Sequence, residues 1–240
     1  MSSAKMPTKF IGGAKHKNNS RPTSAIFQEL AYFYQSFTDD MIDRFFNCVS
    51  IVLHPIFLTT LGMIVIIGLT MPGAVSTQLM LLGFSVGYTI ALPMIFIGFA
   101  RIIGYVSSLR MMERRERIFA LTVAAVCAFA FQHILNNWHA PAVMRMYVMG
   151  SAVMLTMAAI ITHFSRVSLH TIGWGGMTAL VSYLSYLQPG MSGLLAASVL
   201  LSGLAATARL KLNEHTSWQI YIGFVLGFAV IWITFIISSL

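Results

Sequence analysis

The chain has 240 residues, of which 57% are hydrophobic and 9% are charged, with a formal net charge of +8. A soluble domain carries about 25% charged residues, so the composition excludes an ordinary soluble protein. The basic residues form no patch on a soluble domain. We therefore expect attraction to anionic membrane lipids and no nucleic-acid partner.

The N-terminal part of the chain differs from the rest. Residues 1–22 are polar and basic, and residues 23–46 mix aromatic with acidic side chains. We predict a disordered basic tail over 1–22, since this stretch has no apolar core. The apolar spacing over 23–46 favours an amphipathic helix at the membrane interface, and a connecting loop fits nearly as well. The transmembrane domain follows, over 47–240.

Apolar runs of about the length that crosses a bilayer fill the remainder of the chain. There are seven, and they cover residues 48–70, 77–100, 118–134, 142–162, 171–187, 191–207 and 218–239. The fifth and sixth are short, rich in Gly and Ser, and separated by Gln188-Pro189-Gly190, which predicts a tightly packed helical hairpin. The predicted fold class is therefore all-α, a polytopic integral membrane protein with about seven transmembrane helices.

Isolated polar and aromatic residues in these runs have structural interpretations. His54 either reaches a lipid phosphate or bonds a backbone carbonyl that Pro55 leaves free, and the carbonyl bond is favoured. Trp138, Trp174 and Trp218 lie near the ends of runs, where tryptophan anchors helices at the membrane interface.

Basic residues are distributed unevenly between the predicted loops. With seven spans, the tail and the loops at 101–117, 163–170 and 208–217 share one side, and every Lys and Arg except Arg145 lies there. Cytoplasmic loops carry the excess of Lys and Arg. We therefore expect an integral protein of a bacterial inner membrane with a cytoplasmic N-terminus.

Two of these loops place histidines and arginines at the ends of apolar runs. One contains Ser168 and His170, and the other contains Arg209 and His215. Ionisable groups at membrane depth are costly and mark candidate functional sites. Arginine grips phosphate oxygens, one histidine can attack phosphorus, and a second can protonate the leaving oxygen. This combination of arginines and histidines predicts phosphate-ester chemistry that requires no metal and no other cofactor.

The two stretches resemble signatures of the type 2 phosphatidic acid phosphatase superfamily. Ala208-Arg209, five residues, His215, three residues and Gln219 resemble its third signature, Ser-Arg, five residues, His, three residues, Asp. Val167-Ser168-Leu169-His170 is similar to the second signature, Pro-Ser-Gly-His. The resemblance covers roughly residues 101–240 and implies a lipid-phosphatase-like helix bundle.

The first signature of that family, Lys, six residues, Arg-Pro, is only echoed. Arg110 and Arg117 have its spacing, but Ile118 replaces the proline, and the runs 118–134 and 142–162 intervene before the second signature. A solvated helix start with local ion pairs is an equal alternative for Glu113–Arg117.

Carried over by position, the resemblance implies His215 as the nucleophile and His170 as the proton donor. It also implies phosphate ligands, with Arg110 standing in for the lysine of the family: Arg209, Ser168, Arg117 and Arg110.

Gln219 is the most consequential departure from the family pattern, because it can orient His215 but supplies no negative charge. Loss of the orienting carboxylate costs about 10⁴-fold in a serine-protease triad. Two expectations follow. One is hydrolysis of a lipid phosphate monoester or pyrophosphate through phospho-His215. The other is an inactive phosphatase-like subunit or lipid-binding module within a larger membrane complex. The expected partners are membrane lipids, a phosphorylated lipid and other membrane subunits.

Two features near these loops have competing interpretations. Gly173, Gly175 and Gly176 either bring backbone amides to a phosphate or let helices pack closely, and packing is favoured. Glu214 either faces solvent, which is favoured, or replaces the missing carboxylate beside His215.

Overall fold

The computed structural model describes residues 23–73, 75–107 and 113–239. The chain divides into two units, Met1–Ile42 and Asp43–Leu240. In the first unit the described residues belong to helix α1, Thr23–Val52, which continues into the second unit. Residues 23–46 are therefore helical, and the connecting-loop alternative is wrong. The predicted basic tail over 1–22 lies outside the described residues, and the membrane-surface position of 23–46 stays a prediction.

Every regular element in the described part of the chain is helical, which confirms the predicted fold class. A 3-10 turn, Pro55–Phe57, separates α1 from α2, and a π turn, Gly87–Ala91, separates α3 from α4. The helices after α1 are α2 (Leu58–Thr70), α3 (Val75–Val86), α4 (Leu92–Ile102), α5 (Arg114–Asn137), α6 (Ala142–Phe164), α7 (Leu169–Leu187), α8 (Ser192–Lys211) and α9 (Ser217–Ser239).

Each of the seven predicted runs is helical, but they are not equally suited to lipid. Six segments of the described chain are long and apolar enough to cross a membrane: Asp40–Thr70, Val75–Ile102, Arg114–Asn137, Ala142–Phe164, Ser192–Lys211 and Ser217–Ile237. The seventh helix, α7, is not among them, and most of its residues are buried by neighbouring helices. Large apolar side chains remain exposed on the outer helices, including Ile102 and Leu200, as expected for a surface that faces lipid.

Pro55 interrupts the first span, because the residue before a proline is driven out of the helical region. His54 is extended, with φ −64° and ψ 134°. Its Nδ1 accepts a hydrogen bond from the amide of Ile56 at 3.3 Å. The free carbonyl of Leu53 instead accepts a bond from Trp174 Nε1 at 3.2 Å. The predicted bond from His54 to a carbonyl is therefore wrong.

Trp174 also corrects the predicted set of interfacial tryptophans. It is only 2% exposed and lies in the core, whereas Trp138 and Trp218 are exposed. The predicted interfacial position is therefore wrong for Trp174, since its ring packs inside the bundle and its N–H bonds the broken first span.

Helices α7 and α9 approach so closely that their glycines are required. A Cβ on Gly175 would collide with the carbonyl of Phe224, and one on Gly227 would collide with the carbonyl of Ile172. A Cβ on Gly223 would crowd Thr171 and the carbonyl of Ser168. Small residues allow this approach between helices in lipid. We call this contact the α7–α9 seam.

The other glycines of α7 also serve packing. Gly173 faces Leu58 and Pro55, and Gly176 faces Met154 and Ile231. The packing interpretation of Gly173, Gly175 and Gly176 is therefore confirmed.

The predicted hairpin between α7 and α8 is present. Gly190 adopts a left-handed φ of +96° in the short connection. Thr178 Oγ1 and Ser202 Oγ lie 3.0 Å apart and share a hydrogen bond between the two helices. The hairpin therefore places α8 against the buried helix α7, with its C-terminal arginine near the N-terminus of α7.

Candidate functional site

Polar residues from four parts of the sequence meet at one end of the Asp43–Leu240 unit. We call this the polar end: α4, α6 and α8 finish there, α5, α7 and α9 begin there, and α1 gives way to α2. Arg209 Nη1 donates to Ser50 Oγ at 3.0 Å, and His170 Nε2 lies 3.0 Å from the carbonyl of Ser50. Arg117 Nη2 donates to the carbonyl of Val167 at 3.4 Å.

His215 is held in one orientation by Gln219. The connection from α8 to α9 turns through Asn213, which has a φ of 53°. It places His215 Nδ1 3.1 Å from Gln219 Oε1, which also accepts from the amide of Thr216 at 3.2 Å. An amide N–H can only donate, so the oxygen of Gln219 must face this turn. Nδ1 of His215 therefore carries the proton, and its Nε2 keeps a lone pair.

The surroundings of His215 favour the neutral ring. Burial lowers the pKa of His215, and the positive charges of Arg209 and Arg117 lower it further. The hydrogen bond to Gln219 and the charge of Glu214 act in the opposite direction and raise this pKa. A neutral imidazole is the form that can act as a nucleophile.

Arg209 lies in the last turn of α8, and both of its terminal guanidinium nitrogens contact oxygen atoms of other residues. Its side chain is 14% exposed, and its Nη2 lies 3.3 Å from Glu214 Oε2. Its Nη1 bonds Ser50, while its Nε is buried and has no hydrogen-bond partner among the described residues. Glu214 is 54% exposed, so it faces solvent as favoured from the sequence and also pairs with Arg209.

Ser168 and His170 both lie at the N-terminus of α7. Of their two side chains, only that of His170 has hydrogen-bond partners among the described residues. Ser168 is fully buried, and within residues 23–73, 75–107 and 113–239 its Oγ neither caps the helix nor has another hydrogen-bond partner. His170 Nε2 contacts both the carbonyl and, at 3.3 Å, the Oγ of Ser50. A carbonyl only accepts, so the Nε2 of His170 carries a proton that Ser50 holds.

Arg117 joins the same end although two apolar runs separate it from the second signature-like stretch. The runs form α5 and α6, which pack together as an antiparallel pair and return the chain to the polar end. Arg117 consequently lies within electrostatic reach of Arg166, Arg209 and Glu214. Arg110, its predicted companion, lies outside the described residues.

The start of α5 is more than a solvated run of charges. Glu116 is 2% exposed and accepts a hydrogen bond from the amide of Ser107. Arg114 Nη1 donates to the carbonyl of His163 at 2.8 Å, and Arg115 Nε donates to Tyr105 Oη at 3.1 Å. The solvated-start alternative is therefore wrong for Glu116, and its neighbouring arginines bind other parts of the fold.

Ser50 and His54 also belong to the polar end. Ser50 was not predicted there, and His54 was predicted there only as the less favoured alternative. Ser50 bridges Arg209 and His170, and the ring of His54 meets that of His170 edge to face at 5.3 Å between centroids. The only sequence signal was the His54-Pro55 pair, which marks a break in the first span. Ser50 had no signal, because serine is common inside membrane helices.

No known protein family, no curated protein and no solved structure matches the chain. Within the described residues, no group of three or more His, Cys, Asp or Glu side chains is arranged to hold a metal ion.

Proposed function

We propose that this membrane protein is a divergent relative of the type 2 phosphatidic acid phosphatases. It would hydrolyse a lipid phosphate monoester or pyrophosphate through a phospho-His215 intermediate. The observation that carries the proposal is the pair formed by His215 and Gln219. The glutamine occupies the place of an orienting residue and leaves His215 Nε2 unprotonated, beside two arginines.

The proposed reaction has two steps. In the first, the Nε2 lone pair of His215 attacks phosphorus, the bond from phosphorus to the leaving oxygen breaks, and that oxygen takes a proton. In the second, water attacks the phospho-histidine, and inorganic phosphate leaves as His215 recovers its lone pair. The resemblance assigns the proton transfers to His170. Ser50 holds the Nε2 proton of this residue, which leaves Nδ1 as its free nitrogen. Burial and the charge of Arg209 lower the pKa of His170 to about 3, so its resting ring is neutral, and Nδ1 must take up a proton before it can donate one to the leaving oxygen.

Phosphate binding falls to the cationic and unpartnered groups of the polar end. The buried Arg209 Nε and Ser168 Oγ lack hydrogen-bond partners among the described residues, and each is a donor suited to a phosphate oxygen. Arg117 adds positive charge nearby, and phosphoryl transfer needs mainly positioning and such charge. Arg110 would extend this set.

A lipid substrate fits the depth of these groups. Arg209 lies at the end of one apolar helix, and Arg117 lies one turn into another. A headgroup phosphate could therefore reach the site while its acyl chains stay in the membrane. The excess of basic residues at this end supports a cytoplasmic position for it, with the protein in a bacterial inner membrane.

The neutral side chain of Gln219 supports a second candidate function. Without a carboxylate the imidazolium that forms during catalysis is less stabilised. Glu214 also neutralises part of the charge on Arg209. The alternative is an inactive subunit that binds a phosphorylated lipid, with residues 1–46 as docking elements for a partner in a larger membrane complex.

The deciding experiment measures phosphate release by the purified protein from a panel of lipid phosphates and lipid pyrophosphates. We expect release by the wild type, loss of release in His215→Ala, and retention in His133→Ala. His133 is an exposed histidine whose contact with Asn137 lies at the far end of α5, which makes it a matched control.

A second readout tests the covalent step. Acid lability and alkali stability of protein-bound ³²P, present in the wild type and absent in His215→Ala, would support phospho-His215. Release that persists in His215→Ala would contradict the mechanism. No release from any substrate, together with saturable binding of a lipid phosphate, would favour the inactive subunit.

A further inference from the structure

A second feature of the polar end lies outside the proposed catalytic residues. It is a groove of about 500 Å³ between the start of α5, the end of α6 and the loop after α4. We call it the α5 groove. The residues that line it are Tyr105, Arg114, Arg115, Ile118, Phe119, Thr122 and His163.

Polar and apolar lining residues are separated along the α5 groove. Arg114 and Arg115 begin the apolar helix α5, whereas Ile118 and Thr122 follow one and two turns further into the span. With a rise of about 1.5 Å per residue, Arg114 and Thr122 are about 12 Å apart along the helix axis. The groove therefore has a cationic end at the edge of the membrane and an apolar wall that extends into it.

Both arginines are held mainly by neutral groups, although the charge of the neighbouring Glu113 also acts on Arg115. Arg114 donates to the carbonyl of His163, and Arg115 stacks over the ring of Tyr105 with its Cζ 4.3 Å from the centroid. In the described part of the chain neither guanidinium is within 4.0 Å of a carboxylate. A carbonyl and an aromatic ring orient a guanidinium without neutralising it, so its remaining N–H groups can bind an anion.

From this arrangement we propose that the α5 groove binds an anionic glycerophospholipid. Its headgroup phosphate would lie at Arg114 and Arg115, and one acyl chain would lie along Ile118, Phe119 and Thr122. Charge complementarity selects an anionic headgroup, and the apolar wall selects a molecule with a hydrocarbon chain. The site is separate from His215 and does not depend on phosphatase activity.

Native mass spectrometry of the full-length protein in detergent tests the proposal. The probes are phosphatidylglycerol and phosphatidylcholine with identical acyl chains. We expect preferential binding of phosphatidylglycerol, weakened on the order of tenfold in Arg114→Gln/Arg115→Gln. The matched control, Arg166→Gln/Lys211→Gln, removes the same charge from exposed positions at the same end and should retain binding.

Two further measurements separate the lipid from other anions. Thr122→Trp fills the apolar part of the α5 groove and keeps both arginines, so it should also weaken phosphatidylglycerol binding. Millimolar inorganic phosphate should not displace the lipid. Equal weakening by both double variants, equal binding of the two lipids, displacement by inorganic phosphate, or full binding by Thr122→Trp would each overturn the proposal. Unchanged melting temperatures of the variants establish that the effects are local.

Discussion

The α7–α9 seam and the polar end share helices α7 and α9, yet their atoms find partners to very different degrees. At the seam, glycines bring backbone against backbone, and a Cβ on Gly175 or Gly227 has no space. At the polar end, Ser168 Oγ and Arg209 Nε are buried without partners in the part of the chain that the structure describes. The seam fixes where α7 and α9 begin, and the hairpin from α7 to α8 brings Arg209 to the same end. This difference is what we expect if close packing at the seam supports the proposed ligand site.

The largest expected effect comes from restoring a carboxylate beside His215. Gln219→Asp should raise the rate of phosphate release, by up to about 10⁴-fold, because a negative charge stabilises the imidazolium of the reaction. The measurement is the initial rate on the best lipid substrate. Gln188→Asp, at the exposed connection after α7, is the control and should leave the rate unchanged. An unchanged rate in Gln219→Asp would contradict the proposed role of His215.

Breaking the seam should reduce the stability of the whole unit. Gly227→Ala places a methyl group against the carbonyl of Ile172, where neither helix backbone can easily move. We expect a loss of about 1–3 kcal/mol in the free energy of unfolding, as for other overpacked cores. Thermal unfolding in detergent measures it. Gly203→Ala on α8, whose Cβ would meet open space, should be neutral or slightly stabilising. Equal melting temperatures for the two variants would show that the seam is not tight.

Loosening the polar end should have a smaller effect on stability. Ser50→Ala removes the hydroxyl that accepts from Arg209 and contacts His170, while the carbonyl bond to His170 remains. We expect a loss of about 1 kcal/mol in the free energy of unfolding, the usual contribution of one hydrogen bond. The exposed Ser165→Ala is the control, and both are compared by thermal unfolding. A loss as large as that of Gly227→Ala would mean that the hydrogen bonds of the polar end stabilise the fold as much as the α7–α9 seam does.

The smallest expected effect is a pH dependence from His215. Its native pKa lies below the unfolded value of about 6.5, because it is buried beside Arg209 and Arg117. Below pH 6.5 the unfolded chain therefore binds more protons than the native one, and stability falls as the pH falls through the native pKa. Melting temperatures between pH 8 and pH 4 should decline more steeply in the wild type than in His215→Gln. Parallel curves for the two proteins would contradict the lowered pKa.

The helices were predictable because apolar residues in lipid have few alternatives to helix formation. All seven runs are helical, and the hairpin at Gln188-Pro189-Gly190 is present. The errors arose where a tertiary contact replaced a local preference. Trp174 was expected at the interface but bonds Leu53 in the core, and His54 caps the turn at Ile56 instead of bonding a carbonyl.

The candidate site was predictable in part. Arg209, His215 and Gln219 are close in sequence, around the short connection from α8 to α9, so their proximity is a local property. The resemblance to the third signature could therefore single them out. The contribution of Ser50 was not predictable, because it depends on how the broken first span packs against α7 and α8. The proximity of Arg117 to this cluster likewise depends on α5 and α6 returning the chain to the same end.

By itself, the sequence determined that this is a helical membrane protein, since hydropathy acts locally and needs no partner. Only the tertiary structure decided that α7 is enclosed by other helices, that Ser50 links Arg209 to His170, and that Glu116 is buried. These features arise from contacts between residues far apart in the chain. Close packing selects such contacts by shape, and shape is not encoded in any short stretch of sequence.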